Sequence, residues 1–443
     1  MKVKKLMSML LIVSMMVTLA AGCSGSKDTT DKADTADTTN KTDTSAPADS
    51  SEPTTVAPED IKAELTLWDA SWNEGRTEKM IAKFNETYPN IKINVEFFPS
   101  NGMSDKYLVA LTSGSGPDLV SINNEWVSTY AAAGGILNLQ SRVDQEQYDL
   151  TDFYDGAISG ITYDNSIYAL PYRAETHGLF YNAQLFKDAG YETVPTTWED
   201  MVAAFTAMTK GDVKGIAIPG GEWGNTTYQL INMILLNGGS VLNEDNTVCT
   251  LDSAEAIEAA EYFVSLYKDL GVVPDSIFEN DNAAGRTLFI NGLIGCFMSG
   301  AYDIATIKDG NPNLDFGTTM LPTFGDKTPS CIFAGWSTAV ASYTKNPDAA
   351  WLFAKFLASE EISVEYSTTF SARKSAVESY AADPLLAPLV EEVQYGRTLP
   401  VVPELTQIRQ ELYVQIQTAL AGEITAEEAM KNTVAKANEL LAK

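Results

Sequence analysis

The chain has 443 residues, a formal net charge of −29 and a single histidine, His177. That acidity repels nucleic acid and other polyanions, and one histidine excludes a His-rich zinc site or an HExxH helix and leaves a Ser-His-Asp triad only that residue to build on. No GxSxG, Gly-Lys or GxGxxG occurs, so no cofactor or metal is expected, and a carboxylate pair of the glycoside hydrolase kind is the one enzymatic route left open.

In chain order, a basic end (Lys2, Lys4, Lys5) comes first, followed by residues 6–21 without a charge. That run suits a secretory h-region but is short of the roughly 20 residues of a spanning helix. It ends in Leu19-Ala20-Ala21-Gly22-Cys23, which resembles the bacterial lipobox. The resemblance implies a lipoprotein signal peptide over residues 1–22 and a lipid-bearing Cys23, whose acyl chains hold a protein at a membrane at about 0.8 kcal/mol per buried methylene. After Cys23 the chain to residue 58 is almost all Ser, Thr, Asp, Lys, Ala and Pro, with Val56 its one large apolar side chain. Such a segment buries too little to offset ordering, so residues 23–58 read as the lipidated cysteine and a disordered tether spanning about 30 Å. Taking the three lysines of residues 1–22 from −29 leaves −32 on the exported chain. The expected location is the outer face of the cell membrane, lipid-anchored; a long tether associates this with a Gram-positive cell.

Roughly 385 residues follow, enough for two lobes. Residues 65–68 form a short strand, Met80, Ile81 and Phe84 lie at helical spacing, and residues 91–97 alternate apolar and polar as a half-buried strand. The order repeats with a helix near 106–111, a buried strand at 119–122 and a helix from about 126 to 133, which makes a doubly wound α/β layer with ligands expected at the carboxyl ends of its strands. Capping boxes are expected at Thr196–Glu199 and Thr425–Glu428. Between them lie candidate strands at 215–218, 294–298, 316–320 and 332–340 and helices at 254–269 and 347–358. Cys249, Cys296 and Cys331 show no CxxC spacing; buried free thiols are the default, and Cys296 and Cys331 would pair only if their strands are adjacent.

The seven tryptophans divide by context. Trp198 and Trp351 fall among apolar helix neighbours and read as core, and Trp68 ends a strand and is ambiguous. Trp72, Trp126, Trp223 and Trp336 sit with Gly, Asn, Ser or Glu, where an element meets a loop. An indole face beside amides and carboxylates is what a sugar ring needs, although each one singly reads equally well as packing.

A run of ordered motifs then carries a resemblance: LTLWDASWNEG, FNETYPNIKINVEFF, GPDLVSINNEW, YALPYRAETHGLFYN, PTTWEDM, LFINGLIGCFMSGAYD, FAGWSTAV, NPDAAWLFAKFLAS and GEITAEEAMK. Over nearly the whole globular part they resemble the extracellular solute-binding proteins of ABC importers, in particular the maltose-binding-like group. The resemblance implies an α/β, type II periplasmic-binding-protein-like fold of two doubly wound lobes joined by a crossover hinge, with the ligand cleft between them. The expected N-terminal lobe is residues 59–170 plus 321–368 and the C-terminal lobe 171–320 plus 369–443, with hinge segments at 169–172 and 321–323. By matching position it implies Trp72, Glu125, Glu175 and Tyr302 as ligand-binding residues; Trp126, Trp223 and Trp336 from their context, and Asn124, Tyr172, Arg173 and Asp303 beside them, complete the candidate set. Glu125 and Glu175 would accept sugar hydroxyls, and the aromatics would stack on the rings. Two departures stand out: Tyr302 replaces the family's stacking tryptophan, and Ile122 stands where the family has a tryptophan before the acid, with Trp126 next along. The implied partners are a carbohydrate ligand and the ABC permease subunits, for a monomer that binds without turnover. The alternatives are a cell-surface glycoside hydrolase or a binder of a non-sugar solute such as a peptide. Arg173 reads either as a partner for an acidic sugar or as a structural ion pair.

Overall fold

The first strand, β1 (Ala63–Ala70), points Leu65, Leu67 and Asp69 inward and leaves Glu64 and Thr66 exposed. The computed structural model describes residues 57–99 and 102–442; the expected signal peptide, Cys23 and the tether to residue 56 lie outside the described residues. β2 (Ile91–Phe98) and β3 (Leu119–Asn123) flank β1 in parallel, connected through helices Arg76–Thr87 and Met103–Ser113. β4 (Thr162–Tyr163) and β5 (Ser166–Ile167) form a hairpin whose two turn residues, Asp164 and Asn165, have φ of 46° and 56°, the conformation that a tight two-residue turn requires. β6 (Ala169–Glu175) leads directly into β7 (Gly178–Asn182), and β8 (Lys214–Ala217), β9 (Ile294–Ser299) and β10 (Phe316–Thr319) follow. β11 (Cys331–Val340), β12 (Phe370–Ser371) and β13 (Gly396–Thr398) complete the strands.

These strands build two main sheets. The larger runs β12-β6-β11-β3-β1-β2, with β13 beside the start of β11; the smaller runs β10-β7-β9-β8. β11 enters the larger sheet antiparallel to β3, and β6 and β12 pair antiparallel in turn with β11 and β6. The reversal follows from connectivity: β11 comes back from the smaller sheet and enters from the opposite end. Five long helices, Trp198–Met208, Trp223–Leu236, Ala254–Lys268, Leu405–Leu420 and Ala426–Leu441, belong to the smaller lobe.

The sheets move the lobe boundaries read from sequence. Pro171 and Arg173 pair with Ser337 and Trp336 of β11, so the chain leaves the larger sheet at Thr176–His177 and not at residue 170. Phe370 and Ser371 pair with β6, which keeps the larger sheet's claim on the chain past residue 368. The buried side chains also do not divide one core per lobe. Phe180 and Phe297 on one face of the smaller sheet join the larger lobe's apolar cluster, while Leu179, Cys296 and Met298 on its other face join the helices of the smaller lobe. Every residue of β11 is buried; its first residues pack with the smaller lobe's helices and its last with the larger sheet.

Of the local expectations, one shifts. The Thr425–Glu428 capping box is present with both of its reciprocal bonds. The other cap is shifted by one residue: Thr197 is the N-cap of Trp198–Met208 and accepts from the Asp200 N–H, because the Thr196 carbonyl is taken by the Thr323 N–H. Cys249, Cys296 and Cys331 are buried free thiols, the last two held on strands of different sheets. Trp198 and Trp351 are core residues, and Trp68 packs against Phe98 and Tyr107.

Candidate functional site

Two chain turns at carboxyl ends of strands and one strand interior bring aromatic side chains together. β1 ends at Ala70 and tightens into the turn Ser71–Asn73, which carries Trp72. The turn is held from below by Asp69, fully buried, which accepts from the Ala70 N–H at 2.7 Å, Asn73 Nδ2 at 3.0 Å, Thr77 Oγ1 at 2.5 Å and the Tyr366 hydroxyl at 2.7 Å. β3 ends in the turn Asn124–Trp126, where the Asn123 side chain accepts from the Glu125 N–H at 3.0 Å. Between them, on β11, stands Trp336. Its ring meets Trp72 edge to face at 5.1 Å and Trp126 likewise at 5.5 Å, the geometry that the aromatic quadrupole favours. Trp72 keeps 39 % of its surface exposed and Trp336 only 8 %. Gly335 is required here, because a Cβ on it would lie 2.4 Å from the Arg173 carbonyl oxygen.

Two arginine–glutamate pairs flank the indoles. In the sheet register Trp336 pairs with Asn123 on one side and Arg173 on the other. Arg173 Nη2 contacts Glu175 Oε2, and its Nε donates to Thr369 Oγ1 at 3.0 Å. The other oxygen of Glu175 lies 3.5 Å from His177 Nε2, which is 3.2 Å from the Tyr302 hydroxyl. Burial alone would raise the Glu175 pKa, but the Arg173 charge and the His177 contact outweigh it and hold the carboxyl below its usual range. Tyr302 lies under the Arg173 guanidinium, 5.7 Å from its centre, and folds back over Gly300, where a Cβ would come within 2.5 Å of the ring.

On the other flank, Glu125 meets Arg409 of helix Leu405–Leu420. Arg409 is 4 % exposed and is fixed within its own lobe: Nε donates to Thr227 Oγ1 at 3.1 Å and Nη2 to the Gly224 carbonyl at 2.8 Å. Its guanidinium lies 5.2 Å from the Trp223 ring centre. Trp223 opens helix Trp223–Leu236, whose Glu222 cap accepts from the N–H groups of Gly224 and Asn225. Beside Glu125 the cavity lined by Asn124, Ser128, Phe333 and Leu399 is about 10 Å³, at most room for one water.

Nine of the eleven expected ligand residues thus lie in or beside this constellation. Asn124 is a buried member, accepting from the Ser337 hydroxyl at 2.5 Å. Two are corrected. Tyr172 is 2 % exposed, shares a 2.6 Å hydrogen bond with Ser121 and packs on Tyr366; it falls at a break in the β6–β11 register and serves the core. Asp303 is fully buried, paired with Arg286 and accepting from the Ser299 hydroxyl at 2.6 Å; burial raises its pKa despite both partners. Its role is to hold the turn that carries Tyr302. Arg409 was missed, although it interrupts the buried stripe Leu405, Ile408, Leu412, Ile416 of an amphipathic helix. Asp69 was missed as well, on the inward face of an otherwise apolar strand.

The fold and this site define a two-lobed binding protein, and the comparisons with known proteins give its family. The model of the bacterial extracellular solute-binding proteins matches residues 70–363. The chain belongs to that family. Among curated relatives it is similar to the diacetylchitobiose binding protein of Streptomyces coelicolor, 26 % identical over 90 % of this chain and 89 % of that one. It is also similar to the galactooligosaccharide-binding protein of Bacillus subtilis, 22 % identical over 83 % and 87 %. Its fold is that of an ABC transporter solute-binding protein from Thermotoga lettingae solved with α-D-tagatose (TM-score 0.78, 24 % identity, 86 % of this chain and all of that one). A substrate-binding protein from Listeria monocytogenes solved with cycloalternan matches at a TM-score of 0.77 and 24 % identity, over 86 % of this chain and all of that one.

Proposed function

We propose that this protein captures an uncharged oligosaccharide between its lobes and delivers it to an ABC permease, held at the outer membrane face through a lipid on Cys23. The observation that carries the reading is the set of three indoles, two from turns after β1 and β3 and one from within β11, meeting at 5.1 and 5.5 Å beside two carboxylates. Indole faces take the apolar faces of sugar rings, and carboxylates and amides take the hydroxyls. The ligand is uncharged because both arginines at the site are already neutralised, Arg173 by Glu175 and Arg409 by Glu125. An acidic sugar would have to displace a glutamate to find a cation. The same pairing argues against hydrolysis, which needs one carboxyl kept protonated, whereas Glu175 is held ionised. Relatives named for diacetylchitobiose and galacto-oligosaccharides point to the same ligand class.

A thermal-shift screen of neutral oligosaccharides, uronic-acid sugars and peptides tests this. At 100 times its dissociation constant a ligand stabilises by about 2.7 kcal/mol. Stabilisation by a neutral sugar that is recovered uncleaved supports the reading; a response to peptides or acidic sugars alone, or release of smaller sugars, overturns it. The anchor is tested by C23S, which should appear in the medium or retain its signal; membrane retention with a cleaved signal would refute it.

A further inference from the structure

The Glu125–Arg409 ion pair joins the two lobes. Glu125 stands on the turn after β3, in the larger lobe. Arg409 stands on helix Leu405–Leu420, which packs against Trp223–Leu236, Ala254–Lys268 and Ala426–Leu441 of the smaller lobe. Two of the three hydrogen bonds of the guanidinium go to its own lobe, to Thr227 Oγ1 and the Gly224 carbonyl near the start of one helix. The third crosses to Glu125. Arg409 is therefore a prong set in place before the lobes meet, and it loses little freedom when Glu125 arrives. The side chains are 4 % and 14 % exposed, so the pair is drawn out of water and screened by salt far less than a surface pair. Next to it, Thr129 Oγ1 of the larger lobe donates to the Pro403 carbonyl at 3.2 Å, and the cavity beside Glu125 leaves room for one water at most. The lobes meet closely at this edge.

We infer that Glu125 and Arg409 form an interlobe latch that favours the closed form with or without solute. The inference rests on the reading of a cleft that opens and closes around a solute. A contact present only in the closed form raises the closed population by its own free energy, with or without ligand. Glu125 thereby has two employments, one toward Arg409 and one toward a sugar hydroxyl. The state offered to the permease is then set partly by this pair and not by solute alone.

Small-angle scattering without ligand tests it, on the chain carrying C23S and freed of its signal in every sample, so that no lipid contributes. The parent should scatter as the closed arrangement. E125Q should shift the radius of gyration upward, and R409Q should do the same. The double variant should shift no further than either single one, because both remove one pair. E125Q is the cleaner probe, since it leaves the bonds of Arg409 to Thr227 and Gly224 intact and keeps the test alive if R409Q folds poorly. An open parent, an unchanged radius in E125Q, or shifts that add in the double variant would overturn the latch. Because no ligand is present, a failure of every sugar in the thermal screen would sink the sugar reading and leave this measurement standing.

Discussion

Trp72 and Trp336 touch each other and yet make different experimental handles. Trp72 sits on a turn with 39 % of its surface exposed, whereas Trp336 is 8 % exposed in the middle of β11. Replacing Trp72 by Ala removes one edge-to-face contact and should cost about 1 kcal/mol of stability. If a sugar stacks there, affinity falls at least tenfold, about 1.4 kcal/mol. Trp336→Ala also empties a filled site and should cost about 3–5 kcal/mol of stability, so a loss of binding in that variant would not report stacking alone. Calorimetric titration with the sugar found in the screen, together with urea melts of both variants, checks this. Unchanged affinity in W72A would remove Trp72 from the site.

Among the elements, helix Trp198–Met208 shows how a local signal is displaced by a neighbour. Thr196, Thr197, Glu199 and Asp200 offer two overlapping cap registers, and a sequence pattern favours Thr196 with Glu199. The structure uses Thr197 with Asp200 instead, since the Thr196 carbonyl and the Trp198 N–H both bond to the Thr323 backbone, and Glu199 accepts from the Gly325 N–H at 3.2 Å. Thr197→Ala should therefore lower stability by about 1 kcal/mol. Thr196→Ala, which keeps the carbonyl that Thr323 uses, should leave the urea midpoint nearly unchanged. Equal losses in the two variants would contradict the assigned cap.

At the scale of the molecule, the crossings between lobes are tied by one short segment. Thr176 donates to the Leu389 carbonyl at 3.0 Å, Thr318 to the Leu385 carbonyl at 2.7 Å, and the Leu321 N–H to the Glu392 carboxyl at 3.0 Å. Glu392 is 1 % exposed. Burial, reinforced by the neighbouring Glu391, pushes its pKa well above the usual carboxylate value and outweighs the Leu321 bond. A group whose folded pKa is raised adds stability that is complete below its unfolded value near 4.5 and is lost as pH climbs toward the folded value. The slope it imposes reaches about 1.4 kcal/mol per pH unit. Glu392→Gln keeps an acceptor for Leu321 without the charge, so the variant should be more stable than the parent at pH 8 and show a flatter decline between pH 5 and pH 8. Identical pH slopes in parent and variant, measured by urea denaturation, would rule out a protonated Glu392.

The sequence by itself determined what depends on near neighbours. Alternation in residues 91–97 placed β2, apolar spacing placed helix Ala254–Lys268, and the run of small residues before Cys23 carried the lipobox reading. Ordered motifs carried the family, because stretches such as the one holding Trp126 or Trp336 are contiguous. The tertiary structure alone decided what depends on residues far apart in the chain. Pro171 belongs to the larger lobe because β11, 160 residues on, pairs with it. Tyr172 faces Ser121 and Tyr366, and Asp303 meets Arg286. Arg409 reaches Glu125 across 284 residues. Periodicity records which side of an element is buried, since that is a property of successive residues. It does not record which charge stands opposite, since that is settled only when the chain has closed on itself.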